Sequence, residues 1–251
     1  MLELKNVCSA YGKKQILHNV SNGFEKGQIT SIIGPNGCGK STLLKTIIGA
    51  LPIIQGDIFI DQKSISNMKS KYIAQRVAYM SQGRNVPDMT VGQLVLHGRF
   101  AHLNYPRVYS EKDKQIATLA MRQSGVDHLA GKMMGTLSGG MRQNAYIAMT
   151  LAQDTDYILA DEPTTYLDVY NQLQLMKTLK KLANDGKGII VVMHDIALAM
   201  QYSDKIVVMK DGKFTESGTP ENIFNSGIVN HAFGVELKRI KTDNGFVYYM
   251  S

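Results

Sequence analysis

The sequence has few cysteines and no long apolar run. Its two cysteines, Cys8 and Cys38, form no C-x-x-C motif, so we expect no disulfide framework, and a reducing cytoplasm is the natural setting. The longest aliphatic runs, such as IIVVM at 189–193, are far shorter than the ~20 residues that a membrane span needs. The first residues, MLELKNVCSAYGKK, contain no apolar stretch of the kind found in signal peptides. We therefore expect any membrane role to come through a partner protein.

Runs of five or six like charges are also absent, although the chain is basic, with 28 Lys and Arg against 21 Asp and Glu and a net charge of +7. A basic balance suits polyanions such as nucleotides, nucleic acid or an anionic membrane surface, and it equally describes a lysine-rich solvated surface. A length of 251 residues with 44% hydrophobic residues is ordinary for one large globular domain or a domain with a subdomain.

The order of strand-like and helical patterns predicts an α/β fold. Short strand-like runs occupy 2–7, 16–24, 29–33, 58–60 and 77–80. Two continuous apolar runs, 157–160 and 188–193, flank a helical pattern at 169–184. Such runs between helices indicate a parallel sheet that is covered on both faces.

The segment from about 86 to 150 has helical spacing instead, in stretches such as GGMRQNAYIAMTLAQ. We predict a helical subdomain over 86–150, set into a core formed by 1–85 and 151–251. Near the end of the chain, Asp211-Gly212 and Asn244-Gly245 lie between strand-like runs, which is typical of antiparallel hairpins.

The stretch GPNGCGKS, from Gly34 to Ser41, fits the pattern of a phosphate-binding loop, G-x-x-x-x-G-K-[ST]. A strand-like ITSII precedes it and a helical STLLKTIIG follows it, which makes a chance glycine turn the weaker interpretation. Glycines let backbone N–H groups face an anion, and the helix adds its positive end. Lys40 can then reach the β- and γ-phosphates, and Ser41 can ligate Mg²⁺.

Cys38 lies inside this loop and has two interpretations. It is either a small residue that fits the turn or a thiol acidified by Lys40 and the helix N-terminus. The second interpretation predicts that ATP protects Cys38 from alkylation.

A pair of carboxylates ends the apolar run YILADEPT. In an open parallel sheet, ligands bind beyond the carboxyl ends of the strands. Asp161 is therefore placed to hold Mg²⁺, and Glu162 to polarise the water that attacks the γ-phosphate. A solvated acidic pair is the alternative. His194, in VVMHD, is predicted at the same edge, where it could contact a γ-phosphate.

Six motifs together resemble the ATP-binding subunits of ABC transporters, over nearly the whole chain. They are, in the order of that family, Tyr11 in AYGKKQIL, the phosphate loop, Gln82 in YMSQ, LSGGMRQ, YILADEPTTYLD and the MHD histidine. The resemblance implies a P-loop NTPase core of α/β class, with a mixed sheet, an antiparallel β subdomain and a helical subdomain. It also implies ATP and Mg²⁺ as cofactors and ATP hydrolysis as the activity.

The resemblance assigns roles to the matching residues. Tyr11 would stack on adenine, Glu162 would be the catalytic base, and His194 would hold the γ-phosphate. Gln82 would sense Mg²⁺ and the attacking water, while Ser41 and Asp161 would bind the metal. The loop residues that would hold the nucleotide are Gly34, Pro35, Asn36, Gly37, Cys38, Gly39, Lys40, Ser41 and Thr42.

In that family two copies dimerise head to tail. Ser138, Gly139 and Gly140 would then contact the ATP of the partner copy, with Ser138 also capping the following helix, and Asp168 would lie at the dimer interface. Two motifs differ from the sequences that are commoner in the family: Met141 replaces a glutamine, and TTYLD replaces TSALD. Neither departure removes a main phosphate contact, so we expect activity to survive.

The segments LHGRFAHLNYP and VVMHDIALAMQYSD are similar to the corresponding segments in importers of iron–siderophore complexes, haem and cobalamin. This implies a transmembrane permease as partner, an extracellular binding protein as an indirect one, and a peripheral position on the cytoplasmic face of the membrane, with no nucleic acid. Two rival hypotheses remain. A DNA-repair ATPase would carry long coiled-coil insertions, and no sustained heptad run occurs. A non-catalytic regulator is disfavoured because Glu162 and His194 are both present.

Overall fold

The computed structural model describes residues 1–81, 86–165, 167–242 and 245–251. The strands are β1 (Leu2–Tyr11), β2 (Lys14–Phe24), β3 (Ile29–Ile33), β4 (Ile53–Ile60), β5 (Lys63–Ser64), β6 (Val77–Met80), β7 (Tyr157–Asp161), β8 (Gly188–Val192), β9 (Lys205–Lys210), β10 (Lys213–Gly218), β11 (Leu237–Thr242) and β12 (Gly245–Met250). The helices are α1 (Lys40–Ile47), α2 (Ser70–Ala74), α3 (Val91–His97), α4 (Glu111–Gln123), α5 (Gly139–Ala152), α6 (Val169–Asn184), α7 (Ile196–Tyr202), α8 (Pro220–Ser226) and α9 (Ile228–Phe233).

A mixed sheet forms the centre of the fold. Within the described ranges its strands run in the order β10-β9-β3-β8-β7-β6, with β9, β3, β8, β7 and β6 parallel and β10 antiparallel at one edge. Every residue of β3, β7 and β8 is buried, because both faces of the sheet are covered. The predicted parallel arrangement of these apolar strands is therefore confirmed.

The two faces of the sheet carry different layers. One face shares a core with α1 and with an antiparallel sheet of order β2-β1-β4-β5, through residues such as Phe24, Leu43 and Ile190. The other face packs against helices α3 to α7. Alternate residues of each strand supply the two cores, since side chains in a strand point to opposite faces.

The helical segment is fastened by a buried ion pair. Arg99 Nε lies 3.0 Å from Asp113 Oδ1, and the two side chains are only 7% and 12% exposed. The guanidinium also donates to the carbonyl oxygen of Ala152, at 2.9 Å, so it joins the start of α4 to the end of α5. Helical structure in this segment agrees with the sequence pattern, while the limits 86–150 stay a prediction.

Both predicted hairpins form antiparallel pairs. β9 and β10 meet at Asp211 and Gly212, with φ of 48° and 75°, as a tight hairpin turn requires. β11 and β12 pair from Leu237↔Met250 to Thr242↔Gly245, and Asn244 lies outside the described residues. The first hairpin also touches the phosphate loop, because Gly212 N donates to the carbonyl of Cys38 at 2.9 Å.

Candidate active site

The backbone of the phosphate loop requires glycine at specific points. Gly37 and Gly39 have φ of 78° and 107°, in the left-handed region that other residues avoid. Gly34 is needed for another reason, since a Cβ there would lie 2.1 Å from the carbonyl oxygen of Met209 on β9. The loop is thus closely packed against the β9–β10 hairpin.

The helix that follows the loop leaves its first N–H groups without a side-chain cap. Helix α1 begins at Lys40, and the preceding Gly39 provides no side chain, so these donors and the positive end of the helix suit an anion. Lys40 is 5% exposed, and its Nζ donates to the carbonyls of Gly34 at 2.7 Å and Pro35 at 3.0 Å. A buried ammonium beside uncapped N–H groups fits a triphosphate.

Cys38 does not have the acidified thiol that the sequence allowed. The residue is 6% exposed, and burial raises the pKa of its thiol, outweighing the opposing effect of Lys40. Its Sγ would lie 2.8 Å from a Cβ placed at Gly34. The interpretation as a small residue that fits the turn is therefore the one that the packing favours.

Asp161 and Ser41 come together although 120 residues separate them. Ser41 Oγ donates to Asp161 Oδ1 at 3.0 Å, and Tyr79 donates its hydroxyl to Oδ2 at 3.1 Å. Asp161 is 3% exposed, and burial raises the pKa of its carboxyl, with Glu162 acting in the same direction and the hydrogen bonds from Ser41 and Tyr79 opposing it. Tyr79 was not singled out from the sequence, because a tyrosine in a strand is most often core.

Glu162 and His194 also meet at this edge of the sheet. Nε2 of His194 contacts Oε1 of Glu162, and the glutamate side chain is 10% exposed whereas the histidine is 44% exposed. The glutamate has a left-handed backbone, with φ of 50°, and its N–H donates to the carbonyl of Val192 at 3.1 Å. Such backbone strain is concentrated at functional sites. The strained turn directs the carboxylate toward the end of β8.

The two remaining residues assigned to this site are Tyr11 and Gln82. Tyr11 ends β1 and is 46% exposed, which leaves its ring accessible for stacking. Gln82 lies outside the described residues.

The LSGG turn forms a second, separate surface. Ser138 caps α5 by accepting from Met141 N at 3.4 Å, as predicted. The turn opens onto a pocket of about 470 Å³, whose lining residues are Ser138, Gly139, Gly140, Met141, Asn144, Leu167, Asp168 and Asn171. None of these residues belongs to the phosphate loop.

Asp168 and Asn171 line the same pocket as the LSGG turn. Asp168 caps α6, and its two carboxylate oxygens accept from Asn171 Nδ2 at 3.0 and 2.9 Å. A Cβ on Gly140 would approach the Asn171 side chain to 3.0 Å, so a larger residue there would require the Asn171 side chain to shift by a few tenths of an ångström. Sequence reasoning missed Asn171, since an asparagine early in a helix carries no distinct signal.

Comparison with known proteins identifies the family. The family model for ABC transporters matches residues 17–165. The chain belongs to the ABC transporter family. The resemblance seen in the six motifs is confirmed, and so is the prediction of an ATP-hydrolysing subunit at the level of that family.

Two curated relatives are similar over most of their length. The petrobactin import ATP-binding protein FpuD of Bacillus anthracis is 41% identical, with 96% of this chain and 89% of that protein covered. The ferric enterobactin transport ATP-binding protein FepC of Escherichia coli is 37% identical, with 90% and 84% covered.

Two solved structures share the fold. A metal-chelate type ABC transporter in an inward-facing conformation is 27% identical, with a TM-score of 0.85 and coverage of 100% of this chain and 96% of that one. The dimeric bacterial ABC transporter cassette MJ0796 is 30% identical, with a TM-score of 0.76 and coverage of 88% and 99%. These matches confirm the predicted fold class.

The donor set at Ser41 and Asp161 fits Mg²⁺. Both groups offer oxygen, which this cation prefers, and Mg²⁺ at nucleotide sites is held by one or two protein ligands together with phosphates and water. Within the ranges that the structure describes, His, Cys, Asp and Glu nowhere gather in a group of three that could hold a metal. No helix in the described part of the chain has the length and apolar character to cross a membrane.

Proposed function

We propose that this chain is the ATPase subunit of an importer for iron–siderophore complexes or related metal chelates such as haem and cobalamin. The observation that carries the ATPase role is that the chain brings together the Ser41–Asp161 pair, next to the phosphate loop, and the Glu162–His194 pair. The names of the relatives support the substrate class, because FpuD is a petrobactin import protein and FepC a ferric enterobactin transport protein.

Each residue of the site has a separate role in ATP hydrolysis. Lys40 and the first N–H groups of α1 neutralise the β- and γ-phosphates of ATP. Mg²⁺, when bound at Ser41 and Asp161, supplies further positive charge at these phosphates. Glu162 accepts the proton of the attacking water, and His194, which contacts its carboxylate, orients that carboxylate and reaches the γ-phosphate.

The pocket at the LSGG turn supports a site shared between two copies of the chain. Its glycines let backbone N–H groups approach a phosphate closely, and Ser138 and the start of α5 lie at its edge. None of the residues that line this pocket belongs to the phosphate loop, and a head-to-tail pair of copies would bring the pocket of one copy to the phosphate loop of the other. The dimeric relative MJ0796 supports this arrangement.

An exposed aromatic surface supports a permease as partner. Tyr72, Phe100 and Tyr105 are 57%, 41% and 97% exposed, and exposed rings that lie together suit a contact with another protein. Lys71 Nζ connects the two elements that carry them, donating to the carbonyl of Leu103 at 2.7 Å. We place the permease contact here, so the subunit lies peripherally on the cytoplasmic face of the membrane.

Mixing two inactive variants tests the shared site. A Lys40→Ala chain lacks the phosphate contact, and a Ser138→Arg chain blocks the pocket at the LSGG turn. In a head-to-tail mixed dimer, one site has both lesions and the other has neither. We expect ATPase activity to return on mixing the two variants. If each site belonged to one chain, the mixture would stay as inactive as its components.

Co-purification tests the transport role. The tagged chain is recovered from detergent-solubilised membranes of its native host, and its partners are identified by mass spectrometry. A polytopic permease in stoichiometric amount supports the importer, and uptake of a radiolabelled iron chelate by the reconstituted complex names the cargo. Recovery of DNA-bound partners and stimulation of the ATPase by DNA would overturn the assignment.

A further inference from the structure

Tyr79 and Asp161 lie on the same face of the central sheet. Tyr79 is the register partner of Leu159 in the parallel pair of β6 and β7. Asp161 is two residues beyond Leu159, and side chains two apart in a strand share a face. A tyrosine is long enough to reach this diagonal neighbour, and its hydroxyl does so at 3.1 Å.

The two oxygens of the Asp161 carboxylate have different partners. Ser41 donates to Oδ1 at 3.0 Å, whereas Tyr79 donates to Oδ2. A carboxylate bound at one oxygen alone can rotate about its terminal bond, because that torsion has a broad energy profile. The second bond removes this freedom and keeps Oδ1 directed toward Ser41 and the phosphate loop.

We propose that Tyr79 is a positioning residue for the Mg²⁺-binding carboxylate of Asp161. This inference rests on the proposed function, since it assigns a supporting role at the same metal site. The ring of Tyr79 packs against the core that α1 shares with the sheet, and phenylalanine would fill that space equally well. Only the hydroxyl performs the positioning.

The arrangement also links the metal site to the strand that leads toward Gln82. Tyr79 belongs to β6, which ends at Met80, two residues before Gln82 in the sequence. Any movement of the Asp161 carboxylate would act on β6 through this hydrogen bond.

The test removes the hydroxyl alone, with Tyr79→Phe, and measures the Mg²⁺ dependence of ATP hydrolysis at saturating ATP. We expect the half-saturating Mg²⁺ concentration to rise about tenfold, which is the lower end of what losing a partner behind a metal ligand costs. Binding of a fluorescent ATP analogue in EDTA should be unchanged, because Tyr79 acts through the metal ligand. A merely structural role would change both measurements or neither.

Tyr157→Phe is the matched control. Tyr157 is a fully buried tyrosine at the opposite end of β7, so the same substitution should leave the Mg²⁺ dependence at its wild-type value. An unchanged Mg²⁺ dependence in a folded Tyr79→Phe chain would overturn the inference while the proposed function stands. A wild-type chain whose nucleotide hydrolysis does not depend on Mg²⁺ would overturn both.

Discussion

The imidazole of His194 contacts the carboxylate of Glu162 across the ends of two adjacent parallel strands. β7 ends at Asp161 and β8 ends at Val192, and these two terminal residues are register partners. Glu162 follows β7 by one residue and His194 follows β8 by two, so the two side chains meet just beyond the paired ends of neighbouring strands.

Replacing Glu162 with glutamine keeps its size and removes its ability to accept a proton. We expect ATP turnover to fall by about a hundredfold or more, which is typical of losing a general base, while ATP binding is retained. Steady-state phosphate release and equilibrium nucleotide binding measure the two effects. Glu236→Gln, at an exposed carboxylate, is the matched control and should hydrolyse ATP like wild type. Undiminished turnover in Glu162→Gln would rule out its role as the base.

Gly34→Ala should damage the phosphate loop. The added Cβ would lie 2.1 Å from the carbonyl oxygen of Met209, so backbone must move. We expect a loss of about 2–4 kcal/mol in the free energy of unfolding together with loss of nucleotide binding. Urea unfolding and binding of a fluorescent ATP analogue measure both. Gly135→Ala, at a glycine with open space and no positive φ, should change neither measurement.

Ser138→Ala tests whether Ser138 acts only as the N-cap of α5 or also contacts ATP in the site shared between two copies. Loss of an N-cap costs about 1 kcal/mol of stability, and Thr219→Ala should cost the same, because Thr219 caps α8 with the same geometry. Of the two substitutions, Ser138→Ala alone should also lower ATPase activity, because Ser138 lines the pocket at the LSGG turn and Thr219 does not. Thermal unfolding and hydrolysis assays on both variants make the comparison. Equal activities would remove Ser138 from the nucleotide site.

Asp113→Asn should destabilise the helical segment in a pH-dependent way. Removing one partner of a buried ion pair costs about 3–5 kcal/mol, whereas Glu111→Gln, in the exposed Lys114–Glu111 pair, should cost little. Hydrogen bonds from Ser110, together with Arg99, hold the pKa of Asp113 below its usual value. Its contribution is therefore complete above the unfolded-state pKa and is lost as the pH falls through the folded-state pKa. Urea unfolding at neutral and acidic pH should show the wild-type advantage shrinking in acid.

Cys38 should react slowly with alkylating reagents whether or not ATP is present. Its thiol is buried and its pKa is raised by that burial, so little thiolate forms at neutral pH. Labelling with N-ethylmaleimide, followed by peptide mass spectrometry, distinguishes Cys38 from Cys8. The unfolded chain, in which both thiols are accessible, gives the reference rate. Fast labelling without ATP and protection with it would restore the interpretation of an acidified thiol.

Local patterns in the sequence determined most of the fold and the identities of the main site residues. The continuous apolar runs that became β7 and β8 predicted buried parallel strands, and 169–184 was predicted as the helix that the structure contains. The phosphate loop and Asp161 were recognisable because their chemistry depends on residue types at fixed local spacing. The roles of Tyr11, Gln82 and Asp168 came from family resemblance and stay predictions.

Only the tertiary structure decided which side chains meet. Tyr79 reaches Asp161 because β6 and β7 are adjacent in register, and Asn171 at the start of α6 lies beside Gly140 at the start of α5 in one pocket. Burial, which no local pattern specifies, raises the pKa of the Cys38 thiol, although the positive charge of Lys40 acts to lower it. Periodicity in the chain shows which face of an element is apolar, but register and depth of burial are set by contacts between residues far apart in sequence.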